Sequence, residues 1–202
     1  MSCIVNPAIL EPFIDRRICE TLQAALQGLG WIEYVYPIAE RGERKKGTDS
    51  VIYPRVYKQD CNDYIDLFPD DRQESFSFFE RRGEIEIDRE EDTLTYTLSV
   101  IVWGNLKLVS PSKTHDYTDQ MIVDVCNALD STTLPNALLG SPIQVVTDPT
   151  LVWDRYTYSY EDYKYHQYPF TTFRVDFTVQ DMRGIQCYDS NISINSGSGS
   201  NS

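Results

Sequence analysis

Residues able to do chemistry are few in this chain, and their spacing is poor for it. Two histidines, His115 and His166, are of the residue type most often used as a general base or metal ligand. Neither sits in H-E-x-x-H, which would place two metal ligands on one helix face. No G-x-S-x-G presents a serine nucleophile, and no glycine-rich loop is built to cradle phosphate. His115, at a helix start, and His166, near a turn, both read as solvated side chains. Acid pairs near Asp70 and Glu90 qualify for acid–base work only if burial splits their pKa values, and their neighbours are polar turn residues. "DREEDT" (88–93) is rich in carboxylates but lacks the D-x-D-x-D-G order of a calcium loop. It reads as a charged turn between strands. The cysteines Cys3, Cys19, Cys61, Cys126 and Cys187 are odd in number and form no C-x-x-C pair, so neither a disulfide framework nor a zinc knuckle is indicated. The expectation is a protein with no catalytic residues, no cofactor and no metal.

What the sequence offers instead is surface for contact. "YTYSYEDYKYHQYPF" (156–170) holds six of the chain's 14 tyrosines. "RGERKKG" (41–47) is the one basic cluster on a chain of net charge −13 and pI about 4.5. Proteins that grip phosphate backbones usually present a basic face, so tight nucleic-acid binding is not expected. Tyrosine and arginine weigh heavily in interface energetics. The candidate interface residues are therefore Arg41, Arg44, Lys45 and Lys46 in an expected loop, and Tyr160, Tyr163, Tyr165 and Tyr168 in an expected hairpin.

The elements that would position them follow from hydrophobic period. Leu10, Phe13, Ile14, Ile18, Leu22, Ala25, Leu26 and Leu29 recur at helical spacing over 7–29, with the regular helix starting near residue 11 and Gly28 and Gly30 as stop residues. "WIEYVYPI" (31–38) and "SVIYPRVYK" (50–58) read as strands, and their prolines place them at an edge or bulge. A charged loop joins them. "SFSFFERRGEIEID" (75–88) is a further strand. Over 93–109, Leu94, Tyr96, Leu98, Val100 and Val102 alternate with Thr93, Thr95, Thr97 and Ser99. That pattern belongs to an antiparallel sheet with one wet face, although Ile101 and Trp103 require a cover at one end, and Gly104 reads as a bend or bulge. Residues 114–130 form a second helix, capped by Thr114 or Asp116. A short strand over 141–146 follows, then two arms of one hairpin over 150–162 and 168–181. The reading is one α+β domain over 1–188, an antiparallel sheet with two main helices packed on one face, followed by a Ser/Asn/Gly-rich tail over 189–202. The N-terminus has no signal-peptide pattern, and no apolar run approaches the length of a membrane span.

This order resembles the tail terminator, or tail-completion, proteins of tailed bacteriophages: a helix, several antiparallel strands, "TYTLSVIVWGNL" leading into "THDYTDQMIVDVCNAL", and a late "FRVDFTVQD". The resemblance runs over 7–181, and the stretch 38–80 is longer than the family's compact form needs. It implies a structural virion protein without enzymatic activity. Its copies would form a ring, usually hexameric, that ends the tail tube and joins it to the head connector. Assembly would take place in the bacterial host cytoplasm. Its partners would be itself, the connector and the tail-tube protein, with DNA passing through unbound and no membrane involved. Two other readings stay open: another neck, connector or tail-adaptor ring protein, and a carbohydrate- or protein-binding module that uses exposed tyrosines.

Overall fold

The structure is a computed structural model that describes residues 16–46, 48–58, 63–91, 93–157 and 167–182. Its elements, in chain order, are α1 (Arg16–Gln27), β1 (Tyr34–Ile38), β2 (Glu40–Lys46), β3 (Asp49–Lys58), β4 (Asp63–Asp66), β5 (Ser75–Asp88), β6 (Thr93–Asn105), α2 (Leu106–Val109), α3 (Thr118–Asp130), β7 (Ala137–Val146), α4 (Pro149–Val152) and β8 (Phe170–Asp181). They make an α+β fold that is mostly sheet. A five-stranded sheet has the order β1-β5-β6-β8-β7, and a three-stranded sheet the order β2-β3-β4.

The two main helices lie on one face of the larger sheet, as the apolar stripes require. Ile18, Leu22 and Leu26 of α1 and Met121, Val125 and Leu129 of α3 pack with Leu98, Val100 and Val102 of β6 and Phe173, Val175 and Phe177 of β8. Leu10 and Ile14, expected in the same stripe, lie outside the described residues. Gly30 ends α1 with a φ of 73°, a backbone conformation that costs glycine nothing. The N-cap of α3 is Tyr117, with no side-chain cap hydrogen bond, in place of the expected Thr114 or Asp116; the Asp116 carboxylate, one residue earlier, accepts from the backbone N–H of Thr118 at 2.9 Å.

The opposite face of the same sheet carries a second core. Phe76 and Phe78 of β5 and Ile101 and Trp103 of β6 meet Val56 and Leu67 from the smaller sheet, together with Val152, Trp153 and Tyr156. The smaller sheet and the segment 149–157 are thus the cover that Ile101 and Trp103 call for. Ser99, expected on a wet face, is fully buried beneath this cover.

Several expectations are corrected. β1 pairs with β5 in parallel, so the larger sheet is not wholly antiparallel. A parallel partner needs a long crossover, and residues 39–74, which contain the whole smaller sheet, supply it. Most of the expected charged loop "AERGERKKGTDS" (39–50) is instead β2, paired with β3 from Glu40↔Arg55 to Lys46↔Asp49. β3 is the central strand of its sheet, not an edge, despite Pro54. The missing N–H is tolerated because β4 pairing stops at Arg55↔Asp66, one residue short of Pro54, whose carbonyl then accepts from Leu67 at 2.8 Å. Pro37 lies within the irregularity between Val35 and Ile38 on an edge strand, as expected. Gly104 is neither bend nor bulge, since it pairs in register with Ser75 and Thr171. A Cβ there would meet the Met121 methyl at 3.4 Å, an ordinary contact distance.

The expected hairpin over 150–181 is not formed by its described residues. Residues 149–152 make a helical turn, Trp153–Tyr156 continue as turn, and β8 pairs with β6 and β7. Alternation favoured a strand here, but Val152, Trp153 and Tyr156 find more apolar surface to cover by folding over Phe78 than by lying in a ribbon.

Gly42 marks where the smaller sheet is tightest. A Cβ on it would stand 2.6 Å from Tyr53 Cε2 and 2.8 Å from Tyr53 Cζ, and Tyr53 is buried. Gly42→Ala should destabilise the fold by about 1–3 kcal/mol, the usual cost of overpacking. Urea unfolding measures it, and an unchanged midpoint would mean that the Tyr53 ring moves aside freely.

Candidate functional site

The basic candidates are brought together on β2, but alternation along the strand divides them. Arg44 turns inward. Its guanidinium donates to Asp66 Oδ2 at 2.8 Å and stands 5.6 Å from the centroid of the Tyr53 ring. Arg41 and Lys45 lie on the other side of β2 and are exposed. Lys46 pairs through its backbone with Asp49 at the hairpin end. Of the tyrosines, Tyr160, Tyr163 and Tyr165 lie outside the described residues. Tyr168 is half-exposed, with Lys107 Nζ 5.8 Å from its ring centroid, and its hydroxyl donates to the Thr114 carbonyl at 3.4 Å. It is placed by α2 and the 110–117 loop, away from the β2 cluster.

A constellation that sequence reasoning missed lies under the segment 149–157. Register sets Glu80 of β5, Ser99 of β6 and Asp176 of β8 side by side across the sheet. Glu80 and Ser99 are fully buried, and Asp176 is nearly so. The Tyr156 hydroxyl and Arg82 Nη2 both donate to Glu80, the latter at 3.0 Å, and Arg82 also donates to Asp154 Oδ1 at 2.9 Å. Ser99 donates to Asp176 Oδ1 at 2.5 Å, Arg174 Nε donates to the same carboxylate at 2.9 Å, and Arg174 Nη1 donates to the Leu151 carbonyl at 2.6 Å. Burial, then the Glu80 charge, raises the Tyr156 pKa, so that hydroxyl stays a donor. Two carboxylates in one row invite an acid–base reading. Their oxygens, however, accept from arginines and hydroxyls of the chain itself, so they are occupied within the fold. What the network does chemically is fasten Leu151, Asp154 and Tyr156 to the sheet. The signal for it was present: Glu80 in "FFERR", and Arg174 and Asp176 two apart in "FRVDF", share one sheet face.

The remaining candidates are ordinary. Asp88 Oδ1 accepts from the backbone N–H groups of Glu90 and Glu91 at 2.8 and 3.1 Å, the hydrogen bonding of a turn, as "DREEDT" predicted. Among the described residues no three His, Cys, Asp or Glu side chains converge on a point where a metal would sit. Calcium in excess should leave the thermal midpoint unchanged, because a ligand that binds only the folded state raises it by mass action. A marked rise would reveal a carboxylate cage. Cys19 is buried, and its thiol is pushed up to about 12 chiefly by desolvation, the state of an inert, structural thiol. His115 is exposed, with its ring edge-on to Tyr117, and His166 lies outside the described residues. Among the described residues no helix is long and apolar enough to cross a membrane.

No protein-family model matches the chain, and no curated protein matches it.

Proposed function

We propose that the chain is a non-catalytic ring subunit at the head–tail junction of a tailed bacteriophage, where it ends the tail tube and joins it to the connector. The observation that carries this reading is the layering: α1 and α3 lie on one face of a sheet built mainly from the β5–β6 pair and β8. That layering is what the tail-terminator resemblance implies for this element order. The smaller sheet over 40–66 accounts for the extra length in 38–80 as a packed addition on the opposite face.

Electrostatics suit the role. A ring that DNA passes through should not hold it, and a net charge of −13 repels phosphate. Copies of an acidic chain must still associate, and Arg41 and Lys45 supply exposed positive charge for that contact. Six copies is the number that the resemblance implies. The test is direct. Purified virions of the source phage should contain the protein in a few copies per particle, located by cryo-electron microscopy as one ring between connector and tube. A protein that is absent from particles, stays monomeric at high concentration and binds a soluble sugar would be the tyrosine-using binding module instead.

A further inference from the structure

The segment 149–157 is fastened to both sheets. On the larger sheet, the Arg82 guanidinium of β5 grips the Asp154 carboxylate with two hydrogen bonds, Nη1 to Oδ2 at 3.1 Å and Nη2 to Oδ1 at 2.9 Å. Arg155 Nη1 donates to the Arg81 carbonyl at 2.8 Å, and Arg174 Nη1 of β8 donates to the Leu151 carbonyl. The far end of the segment belongs to the smaller sheet. β4 pairs with β3 only from Arg55 to Lys58, which leaves the earlier part of that β3 edge to another partner. Thr157 is a partner there. Its N–H donates to the Ile52 carbonyl at 2.8 Å, and its hydroxyl oxygen accepts from the Ile52 N–H at 2.7 Å. Between the two anchorages, Val152, Trp153 and Tyr156 fill the second core beside Val56 and Leu67.

Neither part of this cover has a core of its own. A small sheet needs an apolar face packed on something to be stable, and the smaller sheet packs its face, with Val56, into the second core. The segment 149–157 holds a single four-residue helical turn. Among the described residues the first core draws on 22 buried side chains and the second on ten, so the second is the weaker of the two. The main sheet beneath the segment also differs from its other face. Glu80, Ser99, Arg174 and Asp176 are buried there, and charged groups regain hydration when uncovered, which offsets part of the cost of opening. Proteins open in cooperative units, the least stable first. We propose that 149–157 is a clasp. It couples the smaller sheet to the main sheet, and clasp and β2–β4 come apart together as one unit while α1, α3 and the face they cover stay folded. Arg82 and Asp154 latch one end, Thr157 and Ile52 the other. The clasp thereby controls whether the wall of Phe76, Phe78, Ile101 and Trp103 is covered. This device is independent of the ring reading and holds whatever the chain assembles with.

Native-state amide hydrogen exchange on the wild type, D154A and T157V tests it. Both altered side chains are exposed. Asp154→Ala leaves Arg82 its bond to Glu80, so no buried charge is stranded. Thr157→Val removes the acceptor of the Ile52 N–H and keeps a branched side chain. The reporters are the amides of Leu67, bonded to Pro54 in the smaller sheet, and of Val152 and Trp153 in the clasp. In the wild type these three should share one opening free energy, below that of Leu98 and Val175 in the main sheet. Asp154→Ala, at the main-sheet latch, should speed exchange at Leu67 by the same factor as at Val152 and Trp153, about threefold to tenfold. Thr157→Val, at the other latch, should speed all three alike, and Leu98 and Val175 should keep their wild-type rates in both variants. Faster exchange at Val152 and Trp153 with Leu67 unmoved would show that clasp and smaller sheet open separately and would overturn the proposal. An equal rise at Leu98 and Val175 would make the opening that of the whole chain and overturn it too, as would rates unchanged throughout.

Discussion

Asp176→Ala should destabilise the protein by about 3–5 kcal/mol, the penalty for stranding a buried charge. Arg174 is nearly as buried as its partner, and its Nε donates to the Asp176 carboxylate. Without that carboxylate, the guanidinium keeps the Leu151 carbonyl and a distant Asp154 oxygen at 3.8 Å. The Ser99 hydroxyl loses its acceptor in the same step. Chemical denaturation gives the loss, and a second measurement separates a missing partner from a missing pair. Replacing both residues, as R174M/D176L, should recover most of the stability, because apolar side chains of similar size need no partner. A loss below about 1 kcal/mol for the single variant, the range of exposed ion pairs, would show that water reaches the network. The single variant should also loosen the segment 149–157, since Arg174 holds it through Leu151. Faster amide exchange at Val152 and Trp153 would report that.

Trp103→Ala should cost about 3–5 kcal/mol, the range for deleting a buried ring. Trp103 is fully buried and stacks between Phe76 at 5.4 Å and Phe170 at 5.6 Å between centroids. Removing it opens a cavity where the smaller sheet and the segment 149–157 meet the main sheet, so the second core should weaken as a unit. Leu22→Ala on the other face should cost roughly 2–5 kcal/mol through the first core. The two losses should add, since the sites lie on opposite faces and share no contact in either core. Trp103→Ala falling within about 0.5 kcal/mol of wild type, as surface changes do, would mean that the smaller sheet does not cover the ring.

Local pattern was enough for the parts of the chain whose burial is periodic. Helical spacing of Ile18, Leu22 and Leu26, and of Met121, Val125 and Leu129, located α1 and α3 and the face they bury. Period-two alternation located β6, because a strand with one apolar face announces its own geometry. Even Ile101 and Trp103, placed against the alternation, told that something covers them. Partner choice was not in the pattern. Whether β1 pairs in parallel, whether "ERGERKK" is a loop or a strand, and whether Trp153 and Tyr156 lie in a ribbon or fold over Phe78 depend on surfaces far away in the chain. The row of Glu80, Ser99 and Asp176 exists only once three strands come into register. The apolar edge at Leu138 and Ile143 likewise exists only once β7 is left as the outer strand. Sequence thus determined which residues of the main helices turn inward and which face of β6 joins them, since burial at helical or strand period is a local signal. Tertiary structure decided which inward faces meet and which edge stays uncovered, since those depend on contacts between residues distant in the chain, which no local period encodes.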